Sequence, residues 1–282
     1  MSTTSISHEQ NLASQASPVY QLFGVADVAE PGRDHLAQVA SGALAAIRVP
    51  ELFTHEECER IMTTLATCPM GSYDEQRVQP RVPKLGPAIY DYYGESASGE
   101  LPVSYWEHAT QSEETRSGLL GGEDPLPIAL SRIERIWGNP VRRAAVAGRT
   151  LFAGMIREIN LGMKLHFDDV IREVPGLLDE MPMCQLAFNV HLAAPRSGGE
   201  ANVYQRRWRV TDELPENRDT YGYDEKIVLG DARAVVRAEV GDATFFDSRN
   251  YHIVRPNTSD DRRVTMSFFM GLTASGEITV WS

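Results

Sequence analysis

The feature that most restricts the fold is a change of pattern near Arg149. Downstream of it, short strand-like runs follow one another over residues 151–159, 185–192, 201–204, 232–240, 243–246 and 264–272. Turn signals separate them, among them Asn160-Leu-Gly162, Ser197-Gly-Gly199 and Gly241-Asp242. Upstream the periodicity is helical. Leu36, Val39, Ala43, Leu44 and Ile47 form one stripe. Thr54-His-Glu-Glu57 has the spacing of a capping box, ahead of a core-facing stripe of Cys58, Ile61, Met62 and Leu65. Pro127 opens a further helix that would bury Ala129, Ile133, Ile136 and Trp137. Helices first and many short strands afterwards, with no alternation of the two, predict an α+β chain: mainly β, with a helical layer packed on a sandwich or barrel.

Residues 1–30, rich in Ser, Gln and Ala, read as a loosely ordered tail. The remainder, 31–282, reads as one domain, with a helical and lid part over about 31–148 and a β core over about 149–282. Two stretches look like covers over a site. One is 69–125, dense in Gly, Pro, Tyr and Ser; the other is the polar insertion 205–231. Tyr90, Tyr92 and Tyr93 are expected to pack the first of these.

A net charge of −12 argues against a phosphate-backbone partner, which needs a basic face. With 24 arginines against three lysines, guanidinium forks remain plentiful for a small carboxylate ligand. No apolar run approaches the roughly 20 residues that span a bilayer. Three scattered cysteines suit neither a disulfide scaffold nor a thiolate zinc site, and with no signal peptide visible the expectation is a cytoplasmic protein.

The chemistry-bearing segment is Lys164-Leu-His166-Phe-Asp168-Asp169. On a strand, His166 and Asp168 would project to one face, and Asp169 to the other. On that tripeptide alone the plainer reading, a strand histidine beside a surface carboxylate, is the stronger one. A second histidine, His252, follows 86 residues later in Asp247-Ser-Arg-Asn-Tyr-His252. Two imidazoles and one carboxylate on one face make the triad that binds non-haem iron(II) and leaves positions open. Beyond them, Arg263-Val-Thr265 heads an apolar strand, where a guanidinium fork and a hydroxyl on one face suit the tail of a dicarboxylate. Of the adjacent pair, Arg263 is preferred to Arg262 for that role.

These residues resemble the iron(II)/2-oxoglutarate-dependent oxygenase superfamily: His166-Phe-Asp168, the Gly241-Asp-Ala-Thr-Phe-Phe246 run leading to His252, and the Arg-x-Thr strand. Ser197-Gly-Gly-Glu-Ala-Asn-Val-Tyr204 and the terminal Ile278-Thr-Val-Trp-Ser282 look like the bacterial branch with hapalindole-type alkaloid halogenases and hydroxylases of N-substituted amino acids. The resemblance covers roughly residues 150–282. It implies a double-stranded β-helix (jelly-roll, cupin-like) fold, with iron(II) held by His166, Asp168 and His252. It also implies a 2-oxoglutarate cosubstrate held by Arg263 with Thr265, and O2 as oxidant. The halogenases of that branch carry a small residue where this chain has Asp168, so the resemblance implies hydroxylation of a small molecule, with release of succinate and CO2. Desaturation, halogenation and a non-catalytic jelly-roll binding module are the alternatives.

Other polar residues divide by position. Gln185, Asn189 and His191 share one face of their strand and would line a pocket or face solvent; Arg157 would meet a substrate carboxylate or a structural acid. His8, His35, His55 and His108 lack ligand spacing.

Overall fold

The computed structural model describes residues 23–76, 78–92 and 100–282. Two mainly antiparallel sheets face each other across a cavity. The larger runs, in spatial order, Val25–Asp27, Ala46–Val49, Ala243–Phe246, Cys184–Ala193, Val264–Leu272, Met155–Glu158, Pro83–Leu85 and Gly71–Ser72, with Ile278–Trp281 also paired to Val264–Leu272. The smaller sheet runs Arg218–Asp219, Gly222–Tyr223, Met163–His166, Asn250–Val254, Ala201–Arg207 and Arg233–Val236. Successive strands of the core pass between the sheets, which is the double-stranded β-helix.

Alternation along the two long strands decides what lies on each side. Leu186, Phe188 and Val190, with Val264, Met266, Phe268 and Met270, are buried against the helical layer. Phe188 stacks on Phe268 with ring centroids 4.5 Å apart and meets Phe245 edge-on at 5.1 Å. The opposite face carries the polar set into the interior. His191, Thr265 and Arg157 are cross-strand partners in one row, and Thr244, Asn189, Ser267 and Met155 in the next.

The helical layer is built from Arg33–Ala40, His55–Leu65, Val103–Arg116 and Pro125–Trp137. Thr54 caps the second of these as its spacing requires, its hydroxyl accepting from Glu57 N and the Glu57 carboxylate accepting from Thr54 N. Three expectations need correcting. The first helix stops at Ala40, because Gly42 turns the chain at φ 79°, so Ile47 belongs to a strand rather than to the helical stripe. The stretch 69–125 contains a 14-residue helix, Val103–Arg116, which no apolar stripe announces. Its buried face includes Ser112 and Arg116 as well as Tyr105 and Ala109. The segment 1–30 is not all tail: Phe23 is buried and Val25–Asp27 pairs in parallel with Ala46–Val49. Residues 1–22, Arg77 and 93–99, including His8 and Tyr93, lie outside the described residues. No helix of the described residues is long and apolar enough to cross a membrane.

Candidate active site

His166 is the last residue of the strand Met163–His166, and His252 sits in the neighbouring strand Asn250–Val254. The two are cross-strand partners in antiparallel register, so both imidazoles point the same way, with ring centroids 4.2 Å apart. Asp168 arrives differently from the expected strand alternation. The strand has ended, and a bend anchored from two sides delivers the carboxylate. The Asp168 N–H donates to the Ser248 carbonyl at 2.9 Å, while Gln185 Nε2 and Ser248 Oγ each donate to the Asp168 carbonyl at 3.1 Å. Asp169 does not occupy an opposite strand face: it caps the short helix Val170–Glu173, its Oδ1 accepting from Ile171 N at 3.1 Å.

The outcome is a compact donor set. Asp168 Oδ2 lies 3.4 Å from His252 Nε2 and 3.8 Å from His166 Nε2. One donor atom from each of the three residues falls within 4.8 Å of the others. The tautomers follow from the remaining ring nitrogens. His166 Nδ1 is 2.7 Å from the Lys164 carbonyl and His252 Nδ1 is 2.9 Å from the Asn250 carbonyl. A carbonyl only accepts, so both Nδ1 atoms carry a proton and both Nε2 atoms face Asp168. Burial, with His252 next in effect, pushes the His166 ring down to about 4 and keeps it neutral. Burial alone would raise the Asp168 carboxyl, but His166 and His252 more than offset it and hold it below the ordinary carboxylate value.

The triad opens onto a cavity of about 590 Å³ between the sheets. Arg263 reaches the same cavity and is buried; its Nε donates to the Gly199 carbonyl at 2.7 Å and its main-chain N–H to Asn160 Oδ1 at 2.8 Å. No carboxylate among the described residues pairs with it, and burial next to Arg157 lowers its pKa to about 10. Arg262 points the other way into a two-bond ion pair with Glu158, at 3.0 and 2.7 Å. Thr265 is fully buried on the Arg263 face; its hydroxyl has no hydrogen-bond partner among the described residues, and it stands behind the cavity lining rather than in it.

The structure also sorts the remaining polar residues. Asn189 and His191 line the cavity, whereas Gln185 braces the Asp168 bend and accepts from Val170 N at 2.8 Å. Both suspected covers contribute. Tyr73, Asp74, Val78 and Tyr90 come from the first and Tyr221 from the second, its hydroxyl accepting from Lys164 N at 2.8 Å. Tyr92 packs edge-on against Tyr105 and bonds His108 Nδ1 at 2.8 Å. Ser248, inconspicuous in the sequence, becomes important only because the fold brings it against Asp168.

A family profile described as carrier-protein-independent halogenase WelO5 matches residues 23–282. The L-gamma-glutamyl-L-propargylglycine hydroxylase of Streptantibioticus cattleyicolor is 37% identical over 264 residues, 92% of this chain and 96% of that protein. Among solved structures, a novel N-substituted L-amino acid dioxygenase from Burkholderia ambifaria superposes with a TM-score of 0.58 at 13% identity, covering 89% of this chain and 92% of that one. Its complex with alpha-KG gives 0.56 at 16%, over 89% and 91%. At such identities the structures establish the shared fold. The sequence matches extend over nearly the whole chain, which therefore belongs to the WelO5 family within the iron(II)/2-oxoglutarate-dependent oxygenases.

Proposed function

We propose that this protein is an iron(II)/2-oxoglutarate-dependent dioxygenase that hydroxylates a C–H bond of a small amino acid derivative. The observation that carries the reading is a single cavity holding both the His166–Asp168–His252 donor set and the buried guanidinium of Arg263. Two imidazoles and a carboxylate suit a ferrous ion and leave positions open on it. Arg263, in the cavity wall and unpaired by any acid among the described residues, suits the far carboxylate of 2-oxoglutarate. When bound, iron(II) and 2-oxoglutarate supply, with O2, the oxidation that places a hydroxyl on the substrate, and the cosubstrate leaves as succinate and CO2.

The chain's own residues do the positioning. The Lys164 and Asn250 carbonyls hold both imidazoles with Nε2 inward. Gln185 and Ser248 fix the main chain at Asp168. Ala187, Phe246 and Phe269, side by side across three strands, give the cavity an apolar stretch of wall that limits water. The named relative hydroxylates a γ-glutamyl amino acid, which supports an amino acid derivative as substrate. The family profile is described for halogenases, and halogenation is the second reading. Asp168 speaks against it, because its carboxylate fills the position a halide would need. The net charge of −12 suits a small-molecule partner rather than nucleic acid, and three unpaired cysteines suit the cytoplasm.

Anaerobic reconstitution with iron(II) and 2-oxoglutarate, followed by oxygen and a panel of γ-glutamyl and N-acyl amino acids, tests the proposal. Substrate-stimulated succinate, with a product one oxygen atom heavier, is expected. Iron-loaded protein that forms no succinate with any member would refute it.

A further inference from the structure

We infer that Arg157 binds a carboxylate of the substrate, making this enzyme selective for an anionic amino acid derivative; the inference rests on the oxygenase reading above. Arg157 lies on the strand Met155–Glu158, in cross-strand register with Thr265, and its side chain reaches the cavity that holds the triad and Arg263. It is the sequence's other candidate for a structural ion pair, and none of the described residues gives it one. No acidic side chain among the described residues comes within 4.0 Å of its guanidinium, and its Nε is buried without a hydrogen-bond partner. Its side chain stands beside the Tyr73 hydroxyl and Met163 Sδ, the latter 4.0 Å from one terminal nitrogen.

The other cavity acids are otherwise engaged. Asp91 is bound to Lys84 at 2.9 Å, Asp74 accepts from Gln76 N at 2.9 Å, and Glu173 accepts from Asp169 N at 2.8 Å. Charge accounting then isolates Arg157. In the loaded site, Asp168 and the chelating carboxylate of 2-oxoglutarate balance the ferrous ion, and its far carboxylate balances Arg263. Arg157 is left without such a partner; it is half-buried, and its Nε is sealed from water and unpaired, which is costly for a donor of a charged group. Its surroundings favour the substrate side: Tyr73 of one cover and Tyr221 of the other stand near it, and both line the cavity with it. A carboxylate entering beneath those covers meets a guanidinium fork with the Tyr73 hydroxyl beside it.

The test uses the anaerobic iron(II)–2-oxoglutarate complex, whose visible charge-transfer band changes when substrate displaces water. The probes are L-γ-glutamyl-L-propargylglycine, its two monoamides, in which one carboxylate is replaced by a carboxamide, and N-acetylglycine as a minimal carboxylate. Formation of the band in wild type and in Arg157→Gln tests the oxygenase reading separately from this one. In wild type, the dipeptide is expected to perturb the band, and one monoamide to bind at least about tenfold more weakly than the parent. In Arg157→Gln the parent should weaken to that same level, the monoamide should lose nothing further, and Arg157→Lys should restore part of the difference. The 2-oxoglutarate affinity should stay within about twofold in both variants. Three results would overturn the inference: no carboxylate probe binding to a complex that forms the band, monoamides binding like the parent, or Arg157→Gln weakening 2-oxoglutarate instead of the dipeptide.

Discussion

His252 stands directly opposite His166 in the register of two neighbouring strands, and the two rings are 4.2 Å apart with both Nδ1 atoms bonded to carbonyls of their own strands. Register thus fixes the separation of the imidazoles, and the carbonyls fix their tautomers. Asp168, 3.4 Å from His252 Nε2, completes the donor set from a bend that Gln185 and Ser248 hold.

Removing the carboxylate tests the reaction type. Wild-type enzyme supplied with chloride is expected to give hydroxylated product and no chlorinated one. Asp168→Ala should lower hydroxylation at least about a hundredfold, since it removes a ligand whose mere supporting contacts are worth roughly 10–100-fold in such sites. Product mass spectrometry reads both. Chlorinated product from the wild type would contradict the assignment of Asp168.

The adjacent arginines should separate cleanly. Arg263→Ala should weaken 2-oxoglutarate at least about tenfold, because it removes a buried charge-assisted fork. Arg262→Ala breaks a partly exposed pair with Glu158 and should leave cosubstrate affinity unchanged, with a stability cost of at most about 1 kcal/mol. Titration of 2-oxoglutarate against each variant decides between them. Equal effects would mean that the face of this strand has been misread.

Gln185 is a positioning residue. Its amide donates to the Asp168 carbonyl and accepts from Val170 N, and it is fully buried. Gln185→Leu keeps the volume but leaves those main-chain groups unpaired. We expect about 1–3 kcal/mol lower stability and a loss of iron affinity of roughly 10–100-fold, read by denaturation and by iron titration. A stability loss with unchanged iron affinity would reduce Gln185 to a packing role.

Acid should destabilise the metal-free protein. The His166 ring sits at about 4, held down first by burial and then by His252, while the unfolded chain takes up that proton near 6.5. More protons on the unfolded state means that stability is complete above pH 6.5 and is lost as pH falls towards 4, by about 3 kcal/mol for this group. His191, held well below its ordinary value by burial and then by Arg263 and Arg48, acts in the same direction. Melting temperature against pH checks this. A Tm that stays level between pH 6.5 and 4 would contradict it.

Much of this architecture was legible because period-two alternation is a physical necessity of a sheet with one face in the core. It separated Leu186, Phe188 and Val190 from Gln185, Asn189 and His191, and Arg263 from Arg262. What escaped depended on contacts distant in the chain. The helix Val103–Arg116 was hidden because Arg116, buried, bonds Asp124 at 2.8 Å and lies over the Phe152 ring, so a charge stands where an apolar residue would mark the stripe. Alternation from His166 would carry Asp168 on a strand, but the strand stops at His166, and the bend that carries the carboxylate is held by Ser248, 80 residues away. Arg157 could be read from sequence as structural or functional; only the absence of an acid beside it among the described residues separates the two.

The central claim is that His166, Asp168 and His252 together grip a ferrous ion. Anaerobic titration of iron(II) into the metal-free protein with 2-oxoglutarate, monitored by the charge-transfer band and by bound iron per chain, tests it most directly. One iron per chain is expected in the wild type, with the band lost in His252→Ala and in Asp168→Ala while both variants remain folded. Iron bound with undiminished affinity in those variants would contradict the account.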